Sequence, residues 1–240
     1  YIIPKPFDPR MITRVSSAVA KAAMDSGVAR KPITDWEAYN EFLLKKMGTT
    51  NPITRQIRHR ALANPKRVVF ADAENYKMLK AAEFVLNQKS AYPVLLGDEK
   101  IIKALIQQHE LDIPNPEIID PRSPAEDDRR KQFAKLLFEK QNRKGITNYT
   151  ALDKMLHRNY FAPMLVETGF ADAMVSGLTN NYPDAIKPAI EVIGIKQQAN
   201  LVSGMYIINT KSGPLFFADC TVNKEPTSEQ LVEITLQTAF

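Results

Sequence analysis

From Lys66 onward, short apolar runs alternate with segments of helical periodicity, a pattern that few architectures accommodate. The apolar runs suit buried strands and comprise Val68–Ala71, Tyr92–Leu96, Glu117–Asp120 and Ala173–Ser176. The helical segments are Asn75–Gln88, a helix that Asp98 caps, Asp127–Asn142, Thr150–His157, Tyr160–Thr168 and Pro183–Gly194. Repeated β-α-β units predict a mainly parallel sheet with helices on both faces, that is, a three-layer α/β/α fold.

The C-terminal part of the sequence departs from this alternation. Leu201–Ile208 and Leu215–Ala218 have the composition of strands and are separated by a short polar loop, so we expect an antiparallel hairpin that joins the parallel sheet. Thr227 lies three residues before Gln230, the spacing of a capping box, and predicts a final helix. No turn follows that helix, so we expect the domain to continue past the given sequence.

Two helices and a basic stretch precede the alternating region. Asp8-Pro9 supplies the N-cap and the first residue of one helix, and Asp35–Lys46 fits a second. A Thr-Thr-Asn-Pro sequence then interrupts the helical pattern, so we interpret residues 49–65 as a linker. The basic side chains of residues 55–67 form either a solvated linker face or a patch for phosphate or a partner. The predicted divisions are therefore 1–48, 49–65 and 66–240.

Composition narrows the classes of function. The single cysteine, Cys220, excludes an intrachain disulfide and a multi-cysteine zinc site, and it suits a reducing cytoplasm. A net charge of +5 with 8% aromatic residues is weak evidence for nucleic-acid binding. No apolar stretch approaches the roughly 20 residues that cross a bilayer, and H-E-x-x-H, G-x-S-x-G and glycine-rich nucleotide loops are absent. We expect a cytoplasmic protein with no metal site and neither nucleic acid nor membrane as a partner.

One polar loop combines several features of a ligand site. It follows the strand that ends at Ser176 and precedes a helix, and ligands of open α/β sheets bind beyond the carboxyl ends of strands. Helix N-termini attract anions through their unpaired amides. The candidate residues that could hold such a ligand are Thr179, Asn180, Asn181, Tyr182 and, about one turn into the helix, Lys187. The alternative is an ordinary connection in which the Asn and Thr side chains cap the helix.

Other candidate groups lie at neighbouring strand ends. Asp72 and Glu74 follow the first strand and could act as acid/base groups, although capping of the next helix is the interpretation that we favour. Asp219-Cys220 follows the last strand, which we expect to be buried. Cys220 would be reactive only if a base or a helix end lowered the pKa of its thiol, and we favour a small buried hydrophobe.

Residues 66–240 resemble the phosphate acetyl/butyryltransferase family. The matching stretches occur in the family's order and comprise KRVVFADAE (66–74), YPVLLG (92–97), GFADAMVSG (169–177), PAIEVIG (188–194) and FADCTVN (217–223). The resemblance implies two α/β/α subdomains, as in isocitrate and isopropylmalate dehydrogenases, with a cleft that holds coenzyme A. The family's C-terminal catalytic residues have no counterpart in the given sequence, so the family domain is expected to be incomplete.

Residues 1–48 resemble a different family, the end of the nucleotide-binding domain of bacterial malic enzymes. The matching stretches are YIIPKPFDPR (1–10), AVAKAAM (18–24) and GVAR (27–30). Some malic enzymes carry a phosphotransacetylase-like domain after that point. The resemblance therefore implies a junction plus roughly half of the second domain, with NAD(P), the divalent metal and malate decarboxylation belonging to an upstream domain.

The sequence departs from the transferase pattern where arginines hold phosphate. Gln141 stands in place of one arginine and Lys187 in place of another, while Thr179–Tyr182 replaces a His-Ser-Thr type loop. An amide removes the charge and the bidentate contact of a guanidinium, and lysine keeps only a point charge. Arg143, in the same stretch as Gln141, completes the set of ligand residues that we expect for acetyl-CoA.

These observations leave three hypotheses. The first is a non-catalytic module that binds acetyl-CoA, regulates an NADP-dependent malic enzyme and contributes to a homo-oligomer. The second is an active phosphate acetyltransferase, which would transfer acetyl between coenzyme A and phosphate. The third is a scaffold that serves oligomerisation alone, with the malic domain as its partner.

Overall fold

The computed structural model describes residues 9–46, 52–210 and 213–239. Its contacts divide the chain into two compact units, Tyr1–Ile57 with Ile207–Phe216 and Arg58–Tyr206 with Phe217–Phe240. The helices are α1 (Pro9–Asp25), α2 (Trp36–Lys46), α3 (Pro52–Ala63), α4 (Tyr76–Asn87), α5 (Glu99–Gln108), α6 (Asp127–Gln141), α7 (Asn148–Lys154), α8 (Arg158–Glu167), α9 (Tyr182–Val192) and α10 (Ser228–Ala239). The strands are β1 (Lys66–Phe70), β2 (Ala91–Leu96), β3 (Glu117–Ile119), β4 (Ala173–Val175), β5 (Met205–Thr210) and β6 (Gly213–Ala218).

A four-stranded parallel sheet forms the centre of the larger unit. Its strand order is β3-β2-β1-β4, with Val69 of β1 paired to Val94 of β2 on one side and Met174 of β4 on the other. The connections between parallel strands carry helices, because a parallel strand can be reached only by a crossover. The four predicted strands and the parallel sheet are confirmed.

Hydrophobic side chains on the two faces of the sheet enter two separate cores. Val69 of β1 belongs to one core and its neighbour Phe70 to the other, as the alternation of side chains along a strand requires. The first core is closed by residues of α6, α7, α8 and α9, among them Phe161 and Leu165. The second is closed by α4 and α5, with Leu79 fully buried. The predicted three-layer α/β/α arrangement is confirmed.

Local capping explains where several of these helices begin. The Asp98 side chain accepts hydrogen bonds from the amides of Lys100 (2.8 Å) and Ile101 (3.1 Å) at the start of α5, as predicted. Thr147 and Thr150 form a reciprocal capping box at the start of α7. Both caps satisfy amides that would otherwise lack an intrahelical partner.

Helix α9 continues through Pro188, a buried residue in its interior. A proline has no amide hydrogen, so the carbonyl four residues earlier loses its helical partner. That carbonyl belongs to Asp184, and the side chain of Asn159 in α8 donates a hydrogen bond to it at 3.1 Å. The proline therefore leaves free a backbone acceptor that joins α8 to α9.

Two expectations from the sequence are wrong. Strands β5 and β6 form a separate two-stranded sheet and do not join the parallel sheet. Residues Pro52–Ala63 form α3, within the stretch 49–65 that we interpreted as a linker. Proline is favoured at the first position of a helix, where its missing amide costs nothing, so Pro52 begins a helix instead of ending one. Residues 1–8, 47–51, 211–212 and 240, which include the predicted N-cap Asp8, lie outside the described residues.

In the smaller unit, α1 and α2 are joined by a hydrogen bond between Ser17 Oγ and Asn40 Oδ1 at 2.7 Å. The predicted helices at Asp8-Pro9 and Asp35–Lys46 correspond to these two elements. No described helix is both long enough and apolar enough to cross a membrane.

Candidate functional site

A cleft of about 410 Å³ opens at the carboxyl ends of the parallel strands. Each of the four strands contributes through the loop that follows it, and the connection between α7 and α8 closes the remaining side. The lining residues are Glu74, Gly97, Asp98, Ile101, Asp120, Pro121, Arg122, Leu156, His157, Arg158, Asn159 and Asn180. This is the edge at which open α/β sheets bind their ligands.

Charged groups of both signs line the cleft, and the acidic ones are already held by the protein. Glu74 pairs with Arg158 at 3.2 Å, and its Oε1 accepts the amide of Asp98 at 2.9 Å. Asp120 accepts the amide of Arg122 at 2.9 Å. The carboxylates thus shape the loops, while Arg122, an exposed guanidinium, remains available to an anion.

Gly97 allows the close packing of two of these loops. A Cβ atom at this position would lie 2.7 Å from Glu74 Oε1, and the backbone has a φ of +146°. Residues other than glycine rarely adopt that backbone conformation. Gly97 therefore lets Glu74 reach the amide of Asp98 and fix the corner of the cleft between β1 and β2.

The second half of the site is organised by Asp72, which is only 1% exposed. Its Oδ2 accepts hydrogen bonds from the amides of Gly177 (3.1 Å) and Leu178 (3.0 Å). Its Oδ1 accepts from Thr179 Oγ1 (2.5 Å) and Asn180 Nδ2 (3.4 Å). One buried carboxylate therefore binds the polar loop after β4 at four successive residues.

This arrangement corrects the role that we expected for Asp72 as a helix cap. The side chain that caps α4 belongs to Asn75, which accepts the amide of Lys77 at 2.9 Å. The backbone carbonyl of Asp72 accepts the amide of Asn75, and its side chain points to a different loop. Glu74 likewise caps no helix, because its two oxygens hold Asp98 and Arg158.

The structure brings part of the predicted ligand loop to the cleft. Asn180 lines it, and Thr179 lies beside Asn180 on the Asp72 carboxylate. Asn181 is the N-cap of α9, but its side chain makes no capping hydrogen bond and is exposed. The Tyr182 hydroxyl lies 3.4 Å from Thr221 Oγ1, which connects the loop to the segment after β6.

Asn180 is the one predicted ligand residue in the cleft lining, and Lys187 and Arg143 lie outside it, as Thr179, Asn181 and Tyr182 do. Lys187 has a side chain that is 70% exposed and lies 3.8 Å from the carboxylate of Glu191. Arg143 is exposed in a short 3-10 helix, Asn142–Lys144, after α6. The positions of Lys187 and Arg143 in the sequence did not indicate that both residues lie outside the cleft lining.

Gln141, the residue that stands in place of an arginine, is buried inside the helical layer. Its Nε2 donates a hydrogen bond to the carbonyl of Glu191 at 2.6 Å, and Lys140 Nζ reaches the carbonyl of Val192 at 2.8 Å. Both carbonyls lie in the last turn of α9, where they have no helical partner. The amide of Gln141 therefore serves the packing of α6 against α9.

Glu191 also joins three helices through its side chain. The Tyr160 hydroxyl donates to Glu191 Oε2 at 2.7 Å, and Lys154 Nζ lies 3.5 Å from the same oxygen. Burial, and then the hydrogen bond and negative charge of Glu191, raise the pKa of Tyr160 well above its usual value. The tyrosine therefore stays protonated and keeps α8 bound to α9.

The cleft residues that sequence analysis missed follow a simple rule. Asp98, Asp120, Arg122 and Arg158 carry no motif, and Asp98 was recognised only as a cap. Applying the strand-end principle to every predicted strand, instead of to the last parallel one, points to the first three of them. Arg158 follows a helix, so no strand pattern indicates it.

Two further expectations can be compared with the structure. Cys220 is exposed and follows a strand whose last residues are exposed, so the interpretation as a buried hydrophobe is wrong. Two cations of the basic stretch make contacts at the start of β1. Lys66 pairs with Asp172, while Arg67 pairs with Glu117 and stacks on Phe170, so both cations stabilise the amino-terminal end of the parallel sheet.

Within the described residues, no group of three or more His, Cys, Asp or Glu side chains could hold a metal ion.

The fold and the cleft define a class: an open α/β protein with a cleft at the carboxyl ends of its parallel strands. The family model described as Phosphate acetyl/butaryl transferase matches residues 52–240, and the chain belongs to that family. The solved EutD phosphotransacetylase from Staphylococcus aureus is similar in structure, with a TM-score of 0.67 and 28% identity, over 76% of this chain and 54% of that one.

Relatives among characterised proteins are of two kinds. The NADP-dependent malic enzyme of Salmonella typhimurium is 35% identical over 100% of this chain and 32% of its own length. The phosphate acetyltransferase of Helicobacter pylori is 32% identical over 84% of this chain and 39% of its own length. The chain thus spans about a third of the length of the malic enzymes that it matches, and that similarity includes the residues before the family match.

Proposed function

We propose that this chain is the phosphotransacetylase-like domain of a larger NADP-dependent malic enzyme, and that it binds acetyl-CoA without converting it. Two observations support the first part: the similarity to malic enzymes extends over the whole chain, and the transferase family matches only residues 52–240. The NAD(P), the divalent metal and the decarboxylation of malate belong to the rest of the malic enzyme. The expected compartment is the cytoplasm.

The observation that carries the non-catalytic part is the environment of Gln141. The family resemblance implies that an arginine at this position holds phosphate in the transferases. Here the side chain is 6% exposed and its amide is committed to the carbonyl of Glu191. A buried amide with a backbone partner offers neither charge nor bidentate hydrogen bonds to a phosphate.

The cleft supports the binding part of the proposal. Its volume of about 410 Å³ lies within the usual range for small-molecule sites. Arg122 is exposed beside it, and its charge suits the phosphates of an acyl-CoA. The loop that carries Thr179 and Asn180 supplies uncharged hydrogen-bonding groups on the opposite side.

The proposed regulation would act by linkage. A ligand that binds two states of a protein with different affinities shifts the equilibrium between them, and the coupling between the two sites is reciprocal. Acetyl-CoA in the cleft would therefore alter malate oxidation, and malate would alter the affinity for acetyl-CoA by the same factor.

The test measures NADP-dependent malate oxidation by the native-length protein while acetyl-CoA is added. We expect a saturable change in rate in the wild type. Arg122→Gln should raise the acetyl-CoA concentration for half the effect about tenfold, since a charge-assisted contact is worth about 1.4–3 kcal/mol. Lys131→Gln, which removes another exposed positive charge on α6, outside the cleft lining, is the matched control. No effect of acetyl-CoA on the wild-type enzyme would overturn the proposal.

An active phosphate acetyltransferase is the alternative. It is favoured by the similarity to proteins named phosphate acetyltransferase and phosphotransacetylase. Positioning in the cleft and charge stabilisation by its cations would then supply the rate acceleration. Formation of acetyl phosphate from acetyl-CoA and phosphate, lost on changing Asn181 or Lys187, would establish it.

A further inference from the structure

The hydrogen bonds described for the buried Asp72 carboxylate all come from one loop, the one that follows β4. Its four donors come from Gly177, Leu178, Thr179 and Asn180, more than one hundred residues along the chain. Those residues are themselves exposed, while Asp72 is not. An exposed loop that follows a strand is ordinarily mobile. Hydrogen bonds from four consecutive residues to one buried carboxylate should therefore restrict the motion of this loop.

We propose that Asp72 is the positioning residue for ligand binding at this cleft: it holds the loop Gly177–Tyr182 in one conformation and so sets the affinity for the acyl-CoA. The inference rests on the proposed function, because it takes acyl-CoA as the ligand. It assigns Asp72 no contact with that ligand.

The geometry distinguishes positioning from acid/base chemistry. Each oxygen of Asp72 already accepts two hydrogen bonds, so its lone pairs are occupied. The residue does not line the cleft. A group that is buried, saturated and away from the ligand cannot exchange a proton with it, but it can fix the groups that do touch it.

Asn180 shows what the anchor determines. Its Nδ2 donates to Asp72 Oδ1 (3.4 Å) and to Thr179 Oγ1 (3.3 Å), so both of its amide hydrogens have partners. Among the described hydrogen bonds, none uses the amide oxygen of Asn180. This side chain therefore offers the cleft an acceptor, which recognises an amine, a hydroxyl or an amide N–H of the ligand.

The anchor also has an entropic effect. A loop that is already ordered loses less conformational freedom when the ligand binds, so less of the binding free energy is offset. Removing the anchor should therefore weaken binding even where every ligand contact can still form. This separates the role of Asp72 from that of a contact residue such as Arg122.

The test compares Asp72→Asn with Glu83→Gln in the native-length protein. Asp72→Asn keeps the shape but turns one acceptor atom into a donor that faces the loop amides. Glu83 is the matched control, a buried carboxylate in α4 that accepts the amide of Asp112 at 2.9 Å outside the cleft. We expect acetyl-CoA to bind Asp72→Asn at least about tenfold more weakly, a loss equivalent to one charge-assisted hydrogen bond, and Glu83→Gln to bind it as the wild type does.

Hydrogen exchange of the Gly177 and Leu178 amides separates this inference from the proposed function. We expect both amides to exchange at least about tenfold faster in Asp72→Asn, with or without ligand. If the wild type binds no acetyl-CoA but the exchange rates rise, the proposed function and the assignment of acyl-CoA fail together while the anchor stands. Unchanged exchange rates would overturn the anchor.

A purely structural role is tested by a double-mutant cycle with Asn180→Ala. If Asp72 acts through the loop, the two substitutions are not additive, and Asp72→Asn weakens binding by less in the Asn180→Ala background. Additive losses, or equal weakening by Glu83→Gln, would contradict positioning. Thr179→Val, which removes one donor to Asp72 from an exposed position, repeats the measurement should Asp72→Asn not fold.

Discussion

The same dipeptide, Ala-Asp, stands at the carboxyl ends of two strands, as Ala71-Asp72 directly after β1 and as Ala218-Asp219 at the end of β6, and the two aspartates have different roles. Asp72 follows β1 and accepts four hydrogen bonds from a loop more than one hundred residues away. Asp219 follows β6 and accepts the amides of Thr221, Val222 and Asn223, which lie two to four residues ahead, and also the amide of Gly204 at 3.2 Å. The first aspartate joins distant parts of the sequence, and the second mainly stabilises the turn that follows it.

The difference extends to burial and charge. Asp72 is 1% exposed, whereas Asp219 is only partly buried. Burial alone would raise the pKa of Asp219, but the hydrogen bonds from Val222, Thr221 and Asn223 outweigh it and lower the pKa to about 2. The turn at Asp219 depends mainly on residues close in sequence. The conformation of the loop at residues 177–180 depends instead on a carboxylate from a distant strand of the sheet.

The largest effect that separates the two aspartates is expected from Asp72→Ala. The substitution leaves the donors of Gly177, Leu178 and Thr179 without their acceptor and opens a small void below them. We expect the free energy of unfolding to fall by about 3 kcal/mol, as loss of a charged acceptor and of buried hydrogen bonds implies. Urea titration of the chain followed by circular dichroism measures it. A loss equal to that of Asp219→Ala would remove the distinction.

A smaller loss is expected when one donor to Asp72 is removed. Thr179→Val keeps the shape of the side chain but deletes the hydroxyl that lies 2.5 Å from Asp72 Oδ1. The free energy of unfolding should fall by about 1.5 kcal/mol, the lower end for a hydrogen bond to a charged group, because the loop is exposed. In a background that already carries Asp72→Ala the same change should cost almost nothing. An equal cost in both backgrounds would show that Thr179 does not act through Asp72.

The pH dependence of stability tests the local aspartate. A carboxyl group with a depressed pKa stabilises the fold at pH values above its unfolded pKa of about 3.8, and this contribution is lost as the pH falls toward about 2. Allowing for solvent screening, we expect Asp219 to contribute about 1 kcal/mol to the acid destabilisation between pH 4 and 2. Urea titrations over that range should show a shallower loss in Asp219→Asn than in the wild type. Parallel curves would contradict this role.

The smallest effect is expected at Lys187, which pairs with Glu191 on the surface. The lysine side chain is 70% exposed and the N···O distance is 3.8 Å. Exposed pairs of this kind contribute about 0–0.5 kcal/mol, so Lys187→Ala should leave the unfolding midpoint in urea almost unchanged. A loss above about 1 kcal/mol would place Lys187 among the structural residues instead.

The contrast between the two aspartates also explains what the sequence could predict. The parallel strands, most helices and the Asp98 cap depend on periodicity and on neighbours within a few residues, and these predictions are confirmed. The role of Asp72 depends on residues 177–180, and no local pattern connects the two segments. Capping was the natural local interpretation of an aspartate after a strand, and it was wrong because a tertiary partner competes for the same carboxylate.

The candidate site was predictable only in part, for the same reason. Asn180 was found because it follows a strand, and the strand-end rule holds at the cleft. Lys187 was proposed from its position one turn into the helix, and Arg143 from a resemblance in sequence. Whether either residue reaches the cleft lining depends on how α6 and α9 pack. The start of α3 at Pro52 was missed because proline both ends helices and begins them, and the sequence alone does not say which.

Calorimetric titration of the native-length protein with acetyl-CoA, in the absence and the presence of inorganic phosphate, tests the central claim most directly. The account predicts one saturable isotherm for the chain, and no continuing heat after each injection when phosphate is present. Absence of any isotherm, or a steady heat of reaction that needs phosphate and is accompanied by acetyl phosphate, would contradict it.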